Sequence, residues 1–382
     1  MKIEFFKHNL GEEEKQKVIE CLNGIFLTTG TYVSEFENKF ADYLNLRYAV
    51  GLTSCTAALH LSLLALGIGK NDEVITTPMT FIATATAIMH TGAKPVFVDV
   101  EKDTGLIDHN KIESAITKKT KAIIPVHLYG QMCDMRKIKK IADKYNLKIV
   151  EDAAHCLEGE RDGIRPGQMG DAACFSFYAT KNITSGEGGA IATNNQELAD
   201  KVRVLRQHGM SKEASDRYSG NYQHWDMIDC GWKYNMDNIQ AALLLPQLAR
   251  IDRSLEKRHK LYTSYINQLK NISNIEYPEI VANSKSAFHL FTIWVDKEKR
   301  DHILNELGKG DIGVAVNYKA IHLLTYFRNR FKFKKGDFPA AEEIGDRTIS
   351  LPFWIGLKKT DIQRIITVIK QISCYGKVGN NL

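Results

Sequence analysis

No uninterrupted apolar run in this 382-residue chain approaches the roughly 18 to 20 residues that a helix needs to cross a bilayer. The opening residues, M-K-I-E-F-F-K-H-N-L, carry charge at Lys2, Glu4 and Lys7 with no apolar core of signal-peptide length, so an unprocessed cytoplasmic protein with no membrane role is expected. A C-x-x-C pair is also missing. The seven cysteines (Cys21, Cys55, Cys133, Cys156, Cys174, Cys230 and Cys374) are odd in number and scattered, mostly in apolar surroundings. That pattern argues against a disulfide framework and structural zinc, and suits a reducing compartment. Charge of one sign does not dominate: 51 Lys and Arg stand against 45 Asp and Glu, a formal +6. No nucleic-acid partner is expected from such a balance, while an anionic small molecule stays open. Internal repeats and low-complexity segments are absent too. No G-x-x-x-x-G-K-[ST] occurs, and no G-x-G-x-x-G follows the first strands, which removes the P-loop and the dinucleotide fingerprint.

What is present is an ordinary globular composition, 44% apolar, in a chain longer than one hydrophobic core usually carries. Two domains are expected: a large one over 1–245, opening with an N-terminal arm of about 25 residues, and a small C-terminal one over 246–382. Through the first half, short β-rich runs alternate with helical patterns. Y-A-V-G-L (48–52) precedes the helical T-A-A-L-H-L-S-L-L-A-L, and D-E-V-I-T-T (72–77) precedes A-T-A-T-A-I-M-H. K-P-V-F-V-D-V (94–100), A-I-I-P-V-H-L (122–128) and L-K-I-V-E-D (147–152) follow, then D-A-A-C-F-S-F (171–177) and G-A-I-A-T (189–193). Between the strands at 122 and 147, Met135, Ile138, Ile141, Ala142 and Tyr145 fall on one helical face. This alternation predicts an α/β fold, a mostly parallel sheet sandwiched by helices, followed after Pro246 by a smaller α+β domain containing the strand T-I-W-V (292–295). Such sheets bind ligands beyond the carboxyl ends of their strands.

Three strand-end segments carry candidate chemistry. In T-S-C-T-A-A-L-H (53–60) a strand gives way to hydroxyl residues and an apolar helix. Free N–H groups at that helix start, with Ser54, Cys55 and Thr56, suit a phosphate; plain capping by Thr53 or Ser54 explains the same residues. In V-E-D-A-A-H (150–155), Glu151 and Asp152 end an apolar strand, where a carboxylate needs a cationic or proton-sharing partner, and His155 lies close by. In S-F-Y-A-T-K-N-I-T-S-G-E-G-G-A (176–190), Lys181 stands between an aromatic strand and a glycine-rich loop. It is either a surface lysine in a turn or a desolvated amine that attacks an aldehyde. Taken together, a phosphate-shaped helix start, a strand-end aspartate and a lysine after the next strand are what pyridoxal phosphate requires for its phosphate, its protonated ring nitrogen and its aldehyde.

The chain at this point resembles the DegT/DnrJ group of sugar aminotransferases, pyridoxal-phosphate enzymes of the aspartate aminotransferase fold (fold type I). The likeness runs through F-L-T-T-G-T-Y-V-S-E-F-E, T-S-C-T-A-A-L-H, D-E-V-I-T-T-P-M-T-F-I-A-T, G-A-K-P-V-F-V-D-V, V-E-D-A-A-H, the Lys181 segment and K-Y-N-M-D-N-I-Q-A-A, in that order. It implies that Lys181 binds the cofactor aldehyde, that Asp152 pairs with the ring nitrogen and that Ser54, Cys55, Thr56 and Ser176 hold the phosphate. Phe81 would stack on the ring and His155 would sit near its hydroxyl. Asn235 would reach the phosphate of a neighbouring subunit, making a homodimer with shared sites. Tyr318, Glu187 and His322 are substrate-side candidates, although Ala320-Ile321 stands where the family often has Pro-Leu before this histidine.

The implied reaction moves an amino group from glutamate to a nucleotide-linked keto sugar, put first as a 4-keto-6-deoxy sugar, with C-3 amination as the alternative. Dehydratases of the same family replace the lysine with histidine, so Lys181 argues for amino transfer. Two rivals stay open: a non-catalytic cofactor-binding regulator on the same fold, and a zinc enzyme using His127, Cys133, His155 and Cys156, which lacks recognised ligand spacing. The basic cluster R-N-R-F-K-F-K-K (328–335) reads as an exposed strand or loop, either solvated or touching a substrate diphosphate.

Overall fold

The computed structural model describes residues 2–212 and 224–374. The alternating runs build one seven-stranded sheet from β1 (Tyr48–Leu52), β2 (Glu73–Thr76), β3 (Lys94–Phe97), β4 (Thr120–Ile123), β5 (Lys148–Asp152), β7 (Ala172–Ser176) and β8 (Gly189–Thr193). Between them β6 (Glu160–Arg161) forms a separate ribbon with β9 (Ser284–Lys285). The sheet order is β1-β8-β7-β5-β4-β2-β3. β8 runs antiparallel to both neighbours, and every other pairing is parallel. β1 therefore points the same way as β7, so the carboxyl ends of β1, β2, β4, β5 and β7 share one edge.

Both faces of the sheet are covered, which is why its strands read as nearly continuous apolar runs. The pleat divides them cleanly. Val50, Cys174 and Ile191 face the helix Cys55–Ala65, which is buried almost all round. Their neighbours Ala49, Ala173, Phe175 and Ala192 face the helices Thr31–Leu44 and Asn238–Ala249, where Phe40 meets Phe175 edge-on at 5.1 Å. No helix among the described residues is long and apolar enough to cross a membrane. Cys21, Cys55, Cys133, Cys156 and Cys174 are buried free thiols, and Cys230 is an exposed one.

Some expected boundaries shift for identifiable reasons. In the run 122–128 the regular strand ends at Ile123, just ahead of Pro125, which has no N–H to give, and Val126 still pairs with Asp152 as an isolated bridge. The run 94–100 ends at Phe97, after which Asp99 turns its carboxylate to the amides of Ala340 and Ala341 at 2.9 to 3.1 Å. Tyr145, expected on the buried face of the helix Met135–Tyr145, is 39% exposed, because that helix ends at Asn146 in a left-handed turn. The cluster 328–335 is not a strand: Thr325–Phe331 is helical. Its alternation survives nonetheless, with Arg328, Arg330, Lys332 and Lys334 exposed and Phe331 and Phe333 packed with Phe97 and Phe327.

A second hydrophobic core gathers around the antiparallel pair β10 (Phe291–Trp294) and β11 (Thr348–Leu351), with the helices Lys297–Lys309 and Lys359–Cys374. The helix containing Pro246 runs on to Ala249. Packing passes from the sheet's core to this second core between Ile251 and Leu255. Ile3 from the N-terminal arm also joins the second core, its backbone bonded to Asp311 and Gly313 at 2.8 Å. Residues 375–382 of the expected C-terminal domain lie outside the described residues.

Candidate active site

A cavity of about 570 Å³ opens at the shared carboxyl edge of the sheet. Adjacent residues of a strand point to opposite faces, and the end of β5 shows the consequence. Glu151, fully buried, turns away to accept the amides of Gly167 and Gly170 at 3.0 and 3.1 Å and to meet His127 Nε2 at 2.8 Å. Asp152 lines the cavity. Thr84 Oγ1 donates to its Oδ2 at 2.7 Å and the Ala154 amide to its Oδ1 at 3.2 Å. Burial raises the Asp152 carboxyl above its ordinary value, against the bonds from Thr84 and Ala154 and the charge of Lys181. A cation placed beside it would reverse that balance.

Lys181 follows β7 in a turn closed by its amide on Tyr178 O at 2.9 Å. Burial brings its ammonium down from 10.5 to about 8, partly offset by Cys55 and Asp152. A lysine of that value is substantially unprotonated slightly above neutrality, which a nucleophilic amine needs. The loop after it comes close to the start of the helix Cys55–Ala65. A Cβ on Gly189 would lie 2.5 Å from the Cys55 nitrogen, so only glycine fits there.

That helix start keeps both properties expected of it. Ser54 is the cap, its side chain accepting the Ala57 amide at 3.1 Å. The amides of Cys55 and Thr56 donate to no protein acceptor among the described residues, and both residues line the cavity together with Ser54 and Ser176. Free N–H groups and hydroxyls converging at a helix N-terminus form a phosphate seat.

Aromatic groups close the opposite side. Phe81 is 54% exposed, with its ring 5.9 Å from that of Tyr318. The Tyr318 hydroxyl lies 3.0 Å from His155 Nε2. Burial, with Lys181 and His289 nearby, keeps His155 far below its ordinary value and so neutral. Its Nδ1 is a buried atom that has no partner, and it carries the ring proton when the Tyr318 hydroxyl is the donor to Nε2. A pyridine hydroxyl oxygen would satisfy it. Seat, carboxylate, amine and orphaned donor together match the chemistry of pyridoxal phosphate.

The remaining candidates divide between the cavity and the interior. Glu187 is exposed at the cavity rim. Asn235 is buried outside the lining, its Nδ2 donating to Thr29 at 2.8 Å while its Oδ1 has no partner. His322 is not brought to the cavity: it is wholly buried, bonded through Nε2 to Glu342 at 3.0 Å and packed 4.8 Å from the Phe338 ring. The Ala320-Ile321 lead-in enters a short helical turn that turns this side chain into the aromatic cluster. Of the four residues of the zinc alternative, His127 bonds Glu151 and accepts the Cys133 amide through Nδ1, His155 bonds Tyr318, and the two thiols bond backbone carbonyls at 3.2 and 3.3 Å.

Sequence reasoning missed Thr84, which bonds Asp152, and Thr80, whose hydroxyl lies 2.7 Å from that of Thr84. Their spacing of one helical turn in T-F-I-A-T was the available signal. It also missed His289, 3.5 Å from Lys181, and Phe5, an N-terminal residue in the lining, for which no local pattern exists.

Known proteins resemble this chain along nearly its whole length. The model of the DegT/DnrJ/EryC1/StrS aminotransferase family matches residues 8–370. The uncharacterized protein MJ1066 of Methanocaldococcus jannaschii is 43% identical over 372 residues, 96% of each chain. The GDP-perosamine synthase of Caulobacter vibrioides is 36% identical over 95% of this chain and 96% of its own. Among solved structures, the putative sugar aminotransferase Spr1654 from Streptococcus pneumoniae in its PLP form superposes with a TM-score of 0.91 at 31% identity, covering 98% of this chain and 99% of that one.

Proposed function

Since the chain belongs to the DegT/DnrJ/EryC1/StrS aminotransferase family and is a pyridoxal-phosphate-dependent sugar aminotransferase, we propose that it moves the amino group of glutamate to a keto sugar carried on a nucleoside diphosphate. The observation that supports this reading is the meeting of Lys181, Asp152 and the free amides of Cys55 and Thr56 around one cavity.

When bound, the cofactor supplies an aldehyde that takes up the amino group and a protonated ring that draws electrons from the carbon to be deprotonated. The amides of Cys55 and Thr56, with Ser54 and Ser176, would hold its phosphate. Asp152, braced by Thr84, would keep the ring nitrogen protonated, and His155 Nδ1–H would face the ring hydroxyl. Phe81 would cover the ring. Lys181, with a value near 8, can give up and take back a proton at Nζ around physiological pH, as a general base and acid must.

For the acceptor, a 4-keto-6-deoxy sugar is put first and a 3-keto sugar second. Phe5 and the ring of Tyr318 in the lining give apolar surface on which the methyl of a 6-deoxy sugar would pack. The printed name of the Caulobacter relative supports a nucleotide carrier. Tyr318 and Glu187 would contact the sugar. A homodimer is proposed, with Asn235 reaching the partner's phosphate seat. Leu22, Ile25 and Leu27 are exposed apolar side chains beside that stretch, where Asn238 Nδ2 bonds Phe26 O at 2.8 Å, and a second copy would cover them.

The test supplies glutamate with keto sugars on UDP, GDP and dTDP and locates the new amine by NMR. Amine formation that needs Lys181 and shows violet-region absorbance in the resting protein is expected. No amination of any member of the panel, or full activity in Lys181→Ala, would sink the reading.

A further inference from the structure

Lys181 has a neighbour with no part in the scheme above. Its Nζ lies 3.5 Å from Nε2 of His289, a residue 5% exposed on the stretch before β10. The contact is long, as hydrogen bonds at reactive groups often are before ligands bind. What gives it meaning is the chain of bonds behind it, in which each member fixes the next.

Arg258, 4% exposed, has donors only. It is paired with the buried Glu158, and its Nε donates to Ala287 O at 3.3 Å. The other oxygen of Glu158 accepts Asn182 Nδ2 at 2.8 Å, and the same Nδ2 donates to Ala287 O at 3.0 Å. Both amide hydrogens of Asn182 are thereby used, which turns Asn182 Oδ1 to His289 Nδ1 at 3.1 Å. An amide oxygen only accepts, so His289 Nδ1 carries the hydrogen. Burial, with the charges of Lys181 and Arg258, holds His289 well below its ordinary value and therefore neutral. Its Nε2 is thus a bare lone pair facing the lysine. The other groups acting on Nζ are Asp152 and Cys55, both favouring the ammonium, while the neutral His155 ring lies 4.4 Å from that of His289.

We propose that His289 is a positioning residue for Lys181: its Nε2 accepts a hydrogen bond from Nζ whenever the lysine is not covalently engaged, holding the amine where it can re-enter the reaction. The tautomer that permits this is set by Asn182, Glu158 and Arg258, so a buried ion pair outside the cavity lining governs the orientation of the lysine. The inference rests on the reading of Lys181 as the residue that binds the cofactor aldehyde.

The test uses two variants that divide the imidazole between them. His289→Asn retains a donor toward Asn182 but no acceptor toward Lys181, whereas His289→Gln places an acceptor where Nε2 was. The cofactor-free chain is mixed with pyridoxal phosphate, trapped with borohydride at timed intervals, and the modified peptide is quantified by mass spectrometry. His289→Asn should slow trapping at Lys181 by ~10-fold or more, since small misplacements of a reacting group cost that much, and Gln should restore the rate. In steady state, His289→Asn should lower kcat with little change in KM for glutamate. Equal rates in wild type and His289→Asn would overturn the proposal, as would Gln as slow as Asn with both melting early, the pattern of a packing role. If His289→Asn does not fold, Asn182→Ser leaves the ring in place and frees its tautomer, while also removing the amide donor shared by Glu158 and Ala287. It must then slow trapping, and a wild-type rate would overturn the proposal. Trapping of wild type at a lysine other than Lys181 would instead sink the functional reading itself.

Discussion

Thr84→Val replaces a buried hydroxyl by a methyl of nearly the same shape, so its effect should be electrostatic and not one of packing. The hydrogen of Thr84 is given to Asp152 Oδ2 at 2.7 Å, so in the 2.7 Å contact between the two threonines Thr80 is the donor. The substitution leaves the Asp152 carboxylate with the Ala154 amide alone at 3.2 Å. A hydrogen bond to a charged group contributes ~1.5–3 kcal/mol, which corresponds to ~10–100-fold in the pairing of Asp152 with a protonated ring. Titrating pyridoxal phosphate into Thr84→Val in a Lys181→Ala background, where covalent attachment cannot mask the loss, should show weaker binding by that factor. Thr84→Ser should bind as the parent does.

The sign can be checked without cofactor. Asp152 already has a raised value in the folded chain, and losing Thr84 raises it further. A carboxyl raised on folding favours the fold below its unfolded value and ceases to do so as pH climbs through the folded one. Cofactor-free Thr84→Val should therefore lose stability relative to wild type at neutral pH, and the gap should narrow near pH 4. Unchanged affinity for the cofactor together with a pH-independent gap would refute the bracing role of Thr84.

Lys181, lowered from 10.5 to about 8, should take up pyridoxal phosphate faster as pH rises through about 8 and level off above it, measured by stopped-flow absorbance. Because its folded value is depressed, it disfavours the fold fully below about pH 8, and that cost is relieved between about 8 and 10.5, readable as a melting-temperature difference from Lys181→Met. Gly189→Ala places a Cβ 2.5 Å from the Cys55 nitrogen and should cost ~1–3 kcal/mol in chemical denaturation while weakening cofactor binding, since backbone must move at the phosphate seat. His322→Leu should destabilise the fold by ~1–3 kcal/mol through loss of the Glu342 bond, yet leave KM for the sugar unchanged; a raised KM would return His322 to the substrate site. If Asn235 serves the partner's site, mixing inactive Lys181→Ala and Asn235→Ala subunits should regain activity in hybrids, and no regain at any ratio would count against a shared site.

Local pattern was enough for a good part of this protein. The alternation of apolar runs marked all seven strands of the large sheet, because residues two apart share a strand face and such runs report their own burial. The same logic located Asp152 at a strand end, the helix start at Ser54 and the isolated Lys181, since each lies beside its structural cue in the chain. It also required a partner for Glu151, which the fold supplies through His127. What side chains meet across the fold was not legible, because the sheet is not laid down in sequence order: β8 inserts between β1 and β7, and β5 is flanked by β4 and β7. That order brings Thr84 to Asp152 across 68 residues. The C-terminal part of the chain brings Tyr318 to His155 across 163 residues and His289 to Lys181 across 108. It also takes His322 out of the cavity, a decision made by aromatic packing with Phe338 and not by any motif. Periodicity reports which face of its own element a residue occupies; the chemistry at the cavity depends on which elements are neighbours, and only the assembled sheet and its cover determine that.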